Sequence, residues 1–184
     1  MRKHLTALTM AICGGLLSFA SQAQISGTSS LTATFETNVV PGTCTAEIQD
    51  STGNASTEIN FGDVFKSDLT AKSRIEAFKL NFSNCSGVKS ATVQATPGAG
   101  TTCSTGSSDK FGSTHGTAFE VWKGLADTGT VLNCTTQPTQ NVTISSGSGS
   151  LDMNARIVIA DGKTIADVTP GAVTSLVTFM VTYQ

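Results

Sequence analysis

The chain has 184 residues, a length that suggests one domain rather than two. Charged residues make up only 13% of it, and the formal net charge is −2. The sequence contains no basic run. This balance argues against a nucleic-acid-binding protein, because such proteins neutralise phosphates with clustered Lys and Arg.

The first 23 residues have the pattern of a secretory signal peptide. A short polar and basic head, residues 2–4, precedes an apolar stretch over residues 5–20. Ser21-Gln22-Ala23 then supplies the small residues that a signal peptidase reads. The apolar stretch is too short for a comfortable membrane span. We therefore predict that residues 1–23 are removed and that the mature chain begins at Gln24.

The mature chain would keep four cysteines, an even number that indicates two disulfides in an exported protein. Four cysteines allow three pairings; we favour the sequential one, and the other two stay open. A fifth cysteine, Cys13, lies in the apolar leader. A lipoprotein box there would be a poor one because the bulky Ile12 precedes it, so we expect Cys13 to leave with the signal peptide. The favoured pairs are Cys44–Cys85 and Cys103–Cys134.

The mature sequence has the pattern of an all-β sandwich or barrel. Thr, Ser, Gly and Val dominate, strong helix formers are sparse, and runs of period two are separated by Gly, Asn, Asp and Ser clusters. A loop rich in Gly, Ser and Thr is predicted over 97–116, and Asp161-Gly162 predicts a turn. In chain order, the predicted strands are 31–40, 44–48, 75–82, 88–95, 118–122, 142–145, 151–160 and 173–183.

Both ends of the mature chain look like strands without a partner. The segment 24–33 is polar but alternates, and the last predicted strand, 173–183, has a strong apolar face. Because an open sheet edge invites pairing with another chain, one solution is an extended segment added by β-augmentation. An ordinary closed sandwich with a frayed N-terminus fits the pattern equally well. One parity of the N-terminal segment consists of Ile25, Gly27, Ser29, Leu31 and Ala33.

The mature sequence shows no constellation of catalytic or metal-binding residues. Its single histidine, His115, lies in a Gly/Ser/Thr loop, and no serine has a nucleophile elbow around it. The cysteines expected in disulfides leave no ligand set for zinc. Gly162-Lys163-Thr164 resembles the end of a phosphate loop, but Ile157 stands where its first glycine should be. We predict no enzyme, no metal and no cofactor, and Trp122 is more typical of a sandwich core than of a sugar-binding platform.

Four stretches of this sequence resemble the chaperone–usher fimbrial subunits, the type 1-like pilins. The last of them is the most specific, with a glycine fourteen positions from the end, alternating apolar residues and a penultimate tyrosine. The second cysteine pair, which many members lack, departs from the pattern and leaves a specialised minor subunit open. The stretches are Phe35 with Val39-Val40 and Cys44, Phe78 to Cys85, Ala155-Arg156-Ile157 with 168–171, and Gly171 to Gln184.

The resemblance implies an incomplete immunoglobulin-like sandwich that is completed by a donor strand from a neighbouring subunit. Residues 24–34 would be the donor-strand extension, with the parity of Ile25 facing the neighbour, and residues 35–184 would be the pilin domain. A periplasmic chaperone would first fill the groove. At the outer-membrane usher, the extension of the next subunit would replace it. The residues implied for the acceptor groove and chaperone contact are Gly171, Val173, Val177, Phe179, Val181 and Tyr183.

The function implied is that of a non-enzymatic structural subunit of a bacterial surface fimbrium that supports cell adhesion. Its partners would be the chaperone, the usher and neighbouring fimbrial subunits, and it would reach the cell surface through the periplasm. The alternative is a minor, tip-associated adhesin or adaptor subunit that binds host glycans.

Overall fold

The structure is a computed structural model that describes residues 33–105 and 108–184. The predicted signal peptide therefore lies outside the described residues, as do Ile25, Gly27, Ser29 and Leu31 of the predicted donor segment. Ala33 is described and lies in exposed, irregular chain. One structural unit spans residues 39–184 and contains the strands and helices given below. No helix within the described ranges is long and apolar enough to cross a membrane.

The described chain is built almost entirely of strands, as its composition predicts. A short α-helix follows the first strand, and a three-residue 3-10 helix precedes the last strand. The elements are β1 (Thr43–Gln49), α1 (Lys66–Ala71), β2 (Ile75–Ser86), β3 (Ser90–Pro97), β4 (Phe111–Gly112), β5 (Thr117–Lys123), β6 (Thr130–Val131), β7 (Gln140–Thr143), β8 (Gly149–Ile159), the 3-10 helix Ile165–Asp167, and β9 (Val177–Tyr183).

The strands form two antiparallel sheets. The larger sheet has the order β1-β2-β8-β5-β4, with β6 pairing with β5, and the smaller sheet has the order β7-β3-β9. Consequently, β1 ends the larger sheet and β9 ends the smaller one. The first and last strands of the chain, β1 and β9, are therefore both edge strands, and we call them the terminal strands.

The core lies between the two sheets and follows directly from the period-two alternation. Phe78 and Leu80 of β2 stand opposite Met153 and Leu151 of β8, and all four are buried. The smaller sheet contributes the inward residues of β3, which are almost fully buried. Burial of a large apolar side chain contributes about 1.5–3 kcal/mol, so this layer provides most of the favourable folding energy.

A second apolar cluster closes one end of the sandwich around α1. Leu69 of the helix packs with Ile157 and Val168, and the helix begins where the carboxylate of Asp68 accepts a hydrogen bond of 2.9 Å from the Phe65 amide. The helix ends immediately beyond Ala71. The sequence did not predict this element, because six residues are too few to show a helical period.

The strand predicted over residues 31–40 is wrong for its described part. Residues 33–40 are not in a strand, and Phe35, Val39 and Val40 are exposed. A strand requires a neighbour that accepts and donates its backbone hydrogen bonds, and no described strand pairs with this segment. The alternation of the sequence was therefore a sign of strand propensity and not of a paired strand.

The last strand begins later than its alternation predicts, and the preceding residues are held elsewhere. The Ser113 hydroxyl donates to the carbonyl of Thr174 at 2.9 Å, and the Thr114 hydroxyl donates to that of Ala172 at 3.3 Å. These bonds fasten the segment that leads into β9 to the turn before β5. Ladder pairing with β3 starts only at Val177.

The predicted loop over 97–116 contains more structure than expected, although Gly106 and Ser107 are outside the described residues. It includes the two residues of β4 and an isolated bridge between Cys103 and Phe111. The side chains of Ser108 and Lys110 both bond to the carboxylate of Asp161, at the predicted Asp161-Gly162 turn. The loop is therefore fixed to the body of the sandwich.

Candidate functional site

A groove with a volume of about 750 Å³ opens between the two terminal strands, β1 and β9. Buried side chains of β2, Leu80 and Phe82, form its floor. Residues 55–58, which follow β1, contribute to its rim. The walls are formed by Ala46 and Ile48 of β1 and by Val177, Phe179 and Val181 of β9.

One side of β9 is hydrogen-bonded to β3, and its other side has no strand partner within the described residues. Ser90 and Gln184 exchange both backbone hydrogen bonds, at 3.2 and 2.8 Å, and the Gly98 amide donates to the Leu176 carbonyl at 2.7 Å. Bonded and non-bonded positions alternate along an antiparallel pair. The even-numbered residues of this segment therefore bind β3, and the odd-numbered residues of β9 direct their N–H and C=O groups to the open side.

The same odd-numbered residues of β9 carry the apolar side chains that face inward. Their side chains are half-buried, while the even-numbered ones are exposed. The ring of Phe179 packs against the ring of Phe78, and their centroids lie 5.9 Å apart. One set of residues thus presents backbone groups that no described strand pairs with, together with incompletely covered apolar side chains, and this combination fits an added β-strand.

The two terminal strands meet at one end of the groove. Cys44 in β1 is joined to Cys85 in β2, and the hydroxyl of Tyr183 donates to the Cys44 carbonyl at 3.4 Å. The disulfide fastens the wall strand β1 to the floor strand β2. The groove is therefore bounded at the end where β1 begins and β9 ends.

The groove is suited to an uncharged occupant. Glu47 and Glu58 are the charged residues that line it. The carboxylate of Glu47 accepts hydrogen bonds from Gln49 at 2.6 Å and from Asn81 at 3.3 Å. The Glu47 carboxylate is thus bound by two neighbouring amide side chains, and the rest of the groove lining is mostly apolar.

The structure places four of the six residues implied for the groove along it or at its end. Val177, Phe179 and Val181 line it, and Tyr183 lies at its closed end. The other two are elsewhere and are not among the lining residues. Gly171 lies beneath the ring of His115, where an added Cβ would come within 2.3 Å of the imidazole, and Val173 packs in the cluster around α1.

Several groove residues were not singled out from the sequence, namely Ala46, Ile48, Leu80 and Phe82. Alternation within the predicted strand 75–82 places Leu80 and Phe82 on one face. It could not indicate that they would lie beneath the open side of β9, because that depends on which strands become neighbours.

The structure joins Cys44 to Cys85 and Cys103 to Cys134, which is the sequential pairing. The second pair links the loop after β3 to the segment between β6 and β7, where the Cys134 sulfur is buried in the core. The bond lies away from the groove, since neither cysteine is among the residues that line it.

A buried ion cluster lies on the opposite, outer face of the larger sheet. Arg156 of β8 is almost fully buried and donates to Glu120 of β5 at 2.9 and 2.6 Å, and to the exposed Asp127 at 2.6 and 2.8 Å. The hydrogen bonds to Asp127, and then those to Glu120, raise the pKa of Arg156. The hydrogen bond from Arg156 lowers the pKa of Asp127. This cluster fastens the loop after β5 to the sheet.

Trp122 and His115 each contact a neighbouring polar side chain. The Trp122 ring lies 5.8 Å from the Arg156 guanidinium, and its indole N–H is buried without a hydrogen-bond partner among the described atoms. The His115 imidazole contacts the Thr169 hydroxyl at 2.9 Å. The described part of the chain contains no cluster of His, Cys, Asp and Glu that could hold a metal ion.

The chain matches no family model. It is 33% identical over 174 residues to the uncharacterized fimbrial-like protein YadL of Escherichia coli strain K12, and the match covers 85% of this chain and 86% of that protein. In fold it is similar to the P pilus rod subunit PapA, with a TM-score of 0.58 and 22% identity over 83% of this chain and 99% of PapA.

The chain is also similar in fold to a chain in the solved structure of a chaperone–usher pilus. The TM-score is 0.54 and the identity 24%, over 85% of this chain and 96% of that one. These two likenesses establish the fold, while the relative from Escherichia coli establishes kinship over most of the chain. The chain therefore belongs to the fimbrial-like proteins, and its fold is the immunoglobulin-like fold of chaperone–usher pilus subunits.

Proposed function

We propose that this chain is a non-enzymatic structural subunit of a bacterial surface fimbrium and that it polymerises by donating a β-strand to its neighbour. One observation carries the proposal. The open side of β9 presents to a single groove the side chains of Val177, Phe179 and Val181, together with their backbone groups, which have no strand partner among residues 33–105 and 108–184. An extended segment placed there would gain main-chain hydrogen bonds and bury alternate side chains.

The occupant we propose is the N-terminal extension of another copy or of a related subunit, residues 24–34. In this segment Ile25 and Leu31 are the large apolar residues of one parity, and they are six residues apart. Val177 and Tyr183, the first and last residues of β9, are also six residues apart. At about 3.3 Å per residue both spans are roughly 20 Å long, so the two anchors match the length of the groove.

The small residues between the anchors also suit the groove. Gly27, Ser29 and Ala33 share the parity of Ile25 and Leu31, and the segment contains no charged side chain. Small side chains would let the donor backbone approach β9 closely where Phe179 already fills space. An uncharged donor suits a groove whose interior is mostly apolar, because an unpaired charge placed there would lose its hydration.

Assembly would be head-to-tail, since the extension and the groove are different parts of one subunit. Such an interface does not close on itself and produces a fibre. Before assembly the open edge is an aggregation hazard, so we propose that a periplasmic chaperone covers it and that an outer-membrane usher exchanges the chaperone for the next extension. Residues 1–23 would direct export through the periplasm, and residues 35–184 would form the pilin domain.

A glycan-binding tip role has less support. The one tryptophan, Trp122, is engaged with Arg156, and its N–H is buried.

The test compares the thermal unfolding of three oxidised proteins. The first consists of residues 35–184. The second carries residues 24–33 after a flexible linker at its C-terminus, and the third carries the same linker with those ten residues in scrambled order. Burial of the two apolar anchors, Ile25 and Leu31, predicts a rise in Tm of about 6–24 °C for the second protein only. Equal Tm values for all three would show that the sandwich is already closed and would overturn the proposal.

A further inference from the structure

Residues 55–58, which we call the rim segment, are attached to the side of β1 that faces away from β2. An isolated antiparallel bridge joins Gln49 to Ala55. Next to it, the Ser56 amide donates a hydrogen bond of 2.9 Å to the Ile48 carbonyl. Because β1 pairs with β2 on its other side, the rim segment prolongs the larger sheet beyond β1. It is therefore an edge of the larger sheet that lines the groove, as β9 is an edge of the smaller one.

The rim segment also presents backbone groups on its outer side. Since the Ser56 amide points to β1, the backbone groups of its neighbours Ala55 and Thr57 point away from β1. These groups have no hydrogen-bond partner among residues 33–105 and 108–184. The next step rests on the proposed function: a donor strand laid along β9 would meet the rim segment on its other side.

Little apolar packing holds the rim segment in place. The side chains of residues 51–55 and 57–58 are exposed, and that of Ser56 is half-buried. The first apolar residue after the turn that packs against the core is Ile59. Hydrophobic burial, which stabilises the strands of the two sheets, thus contributes little between Gln49 and Ile59. The position of the rim segment depends instead on the hydrogen bonds of the turn that precedes it.

The carboxylate of Asp50 is the centre of that turn. Its Oδ1 atom accepts hydrogen bonds from the Thr52 amide at 2.9 Å, from the Thr52 hydroxyl at 2.7 Å and from the Asn54 amide at 3.0 Å. These bonds, that of the Thr52 hydroxyl first, lower the pKa of Asp50, so the side chain is an ionised acceptor in neutral solution. One side chain thereby closes the turn that brings the chain back beside β1.

We propose that Asp50 is a positioning residue for strand donation: its carboxylate closes the turn over residues 50–54 and so holds the rim segment as the second edge that a donor strand meets. Asp50 is not among the residues that line the groove, so it acts through the rim segment and not by touching the donor. An edge that is fixed beforehand lowers the ordering cost of capture. A loosened rim segment would leave the donor held by β9 and the floor, and the donor would dissociate sooner.

Asp167 closes a comparable turn outside the groove and provides a matched control. Its Oδ2 atom accepts hydrogen bonds from the amide and the hydroxyl of Thr164, both at 2.8 Å. These bonds, that of the amide first, lower the pKa of Asp167. Neither Asp167 nor Thr164 lines the groove. Removing the Asp167 carboxylate therefore takes similar hydrogen bonds from the surface without loosening an edge of the groove.

The experiment follows the binding of a fluorescent peptide with the sequence of residues 24–40 to the dilute, oxidised mature chain, residues 24–184, and to three variants. Asp50→Ala removes the acceptor oxygen, and Asp50→Asn removes the charge but keeps an acceptor oxygen for the turn. Asp167→Ala is the control. Stopped-flow fluorescence measures the association and dissociation rate constants, and urea unfolding without peptide measures the stability of each protein.

We expect Asp50→Ala to release the peptide about 5- to 30-fold faster than the wild type, because the turn loses hydrogen bonds of ordinary net strength. Asp50→Asn and Asp167→Ala should release it at nearly the wild-type rate. Without peptide, Asp50→Ala and Asp167→Ala should unfold at similar urea concentrations, since each loses one exposed turn. A purely structural role of Asp50 would lower stability without changing the release rate.

Three results would overturn the inference. The first is an unchanged release rate in Asp50→Ala. The second is equally fast release from Asp50→Asn, which would assign the effect to the charge and not to the turn. The third is equally fast release from Asp167→Ala, which would indicate general destabilisation. If the wild type does not bind the peptide, strand donation fails and this inference fails with it. Normal wild-type binding with any of the three results removes this inference alone.

Discussion

At the scale of single residues, Arg156 stands out because its charged side chain is almost fully buried. Its guanidinium is almost fully buried and binds the buried carboxylate of Glu120, on the neighbouring strand, and the exposed carboxylate of Asp127. Desolvation makes such a group costly unless its hydrogen bonds are complete. The cluster therefore fixes how β5, β8 and the loop between β5 and β6 fit together, whether or not it adds to the net stability.

Replacing the guanidinium should be strongly destabilising. Arg156→Met leaves the Glu120 carboxylate buried without a partner, and we expect a loss of about 3–5 kcal/mol in the free energy of unfolding. Urea unfolding of the oxidised protein measures it. The matched control is Arg156→Met combined with Glu120→Met, which removes both charges and should recover most of the loss. A single variant as stable as the wild type would contradict this account of the pair.

The contact of Asp127 with Arg156 should make stability depend on pH in the acid range. The hydrogen bond from Arg156 holds the pKa of this carboxyl below its ordinary value. A group whose pKa is lowered by folding stabilises the protein above its unfolded pKa, and the contribution disappears as the pH falls through its folded pKa. Asp127→Asn should therefore be less stable than the wild type at pH 7, and the difference should vanish at low pH.

Denaturant unfolding at pH 7 and at several lower pH values measures this dependence. Asp152→Asn, which removes an exposed carboxylate paired with Lys79, is a suitable control, because we expect such a surface pair to contribute little. A difference between Asp127→Asn and the wild type that stays constant across the whole pH range would show that the contact acts through packing and not through its charge.

At the scale of elements, β9 has two faces with different surroundings. Its odd-numbered residues and their backbone groups border the groove, and its even-numbered residues are exposed on the outer face of the smaller sheet. Because side chains alternate strictly along a strand, neighbouring residues provide matched substitutions within one element. Phe179 and Met180 form such a pair.

Phe179→Ala should weaken the capture of a donor strand, whereas Met180→Ala should not. The ring of Phe179 packs against Phe78 at the groove wall, and its truncation should cost about 3–5 kcal/mol in the protein that carries the appended donor strand. Met180 points to the opposite face, where it is exposed. The gain in Tm on appending residues 24–33 measures both. An equal effect of the two substitutions would place the donor strand elsewhere.

At the scale of the whole molecule, the two disulfides close loops of similar length but lie in different places. The pairs are separated by 41 and 31 residues. Chain entropy alone would give them nearly equal contributions, about 4 kcal/mol each. Only Cys44–Cys85 fastens a strand that forms a wall of the groove.

Removing each disulfide should therefore separate stability from function. We expect Cys103→Ala with Cys134→Ala, and Cys44→Ala with Cys85→Ala, each to lower the free energy of unfolding by about 2–4 kcal/mol. Only the second pair of substitutions should also slow or weaken the binding of a peptide with the sequence of residues 24–33. Urea unfolding and peptide-binding kinetics test the two effects. Unchanged peptide binding without the Cys44–Cys85 bond would show that β1 keeps its place without it.

The sequence by itself determined the properties that depend on near neighbours in the chain. Period-two alternation predicted most of the strands and showed that Val177, Phe179 and Val181 share a face, because side chains alternate in any extended chain. The Cys count indicated two disulfides, and the resemblance of the last fourteen residues to pilins pointed to an open final strand. The structure has that strand at the end of its sheet.

Only the tertiary structure decided the features that join distant parts of the chain. The late start of β9 depends on hydrogen bonds to a turn about 60 residues earlier. Arg156 likewise binds Glu120, which lies 36 residues earlier in the chain. The groove itself exists because β1 and β9 end different sheets and meet over the floor provided by β2. Alternation shows which way a side chain faces but not which strand lies beside it, since strand order follows from the packing of the whole sandwich.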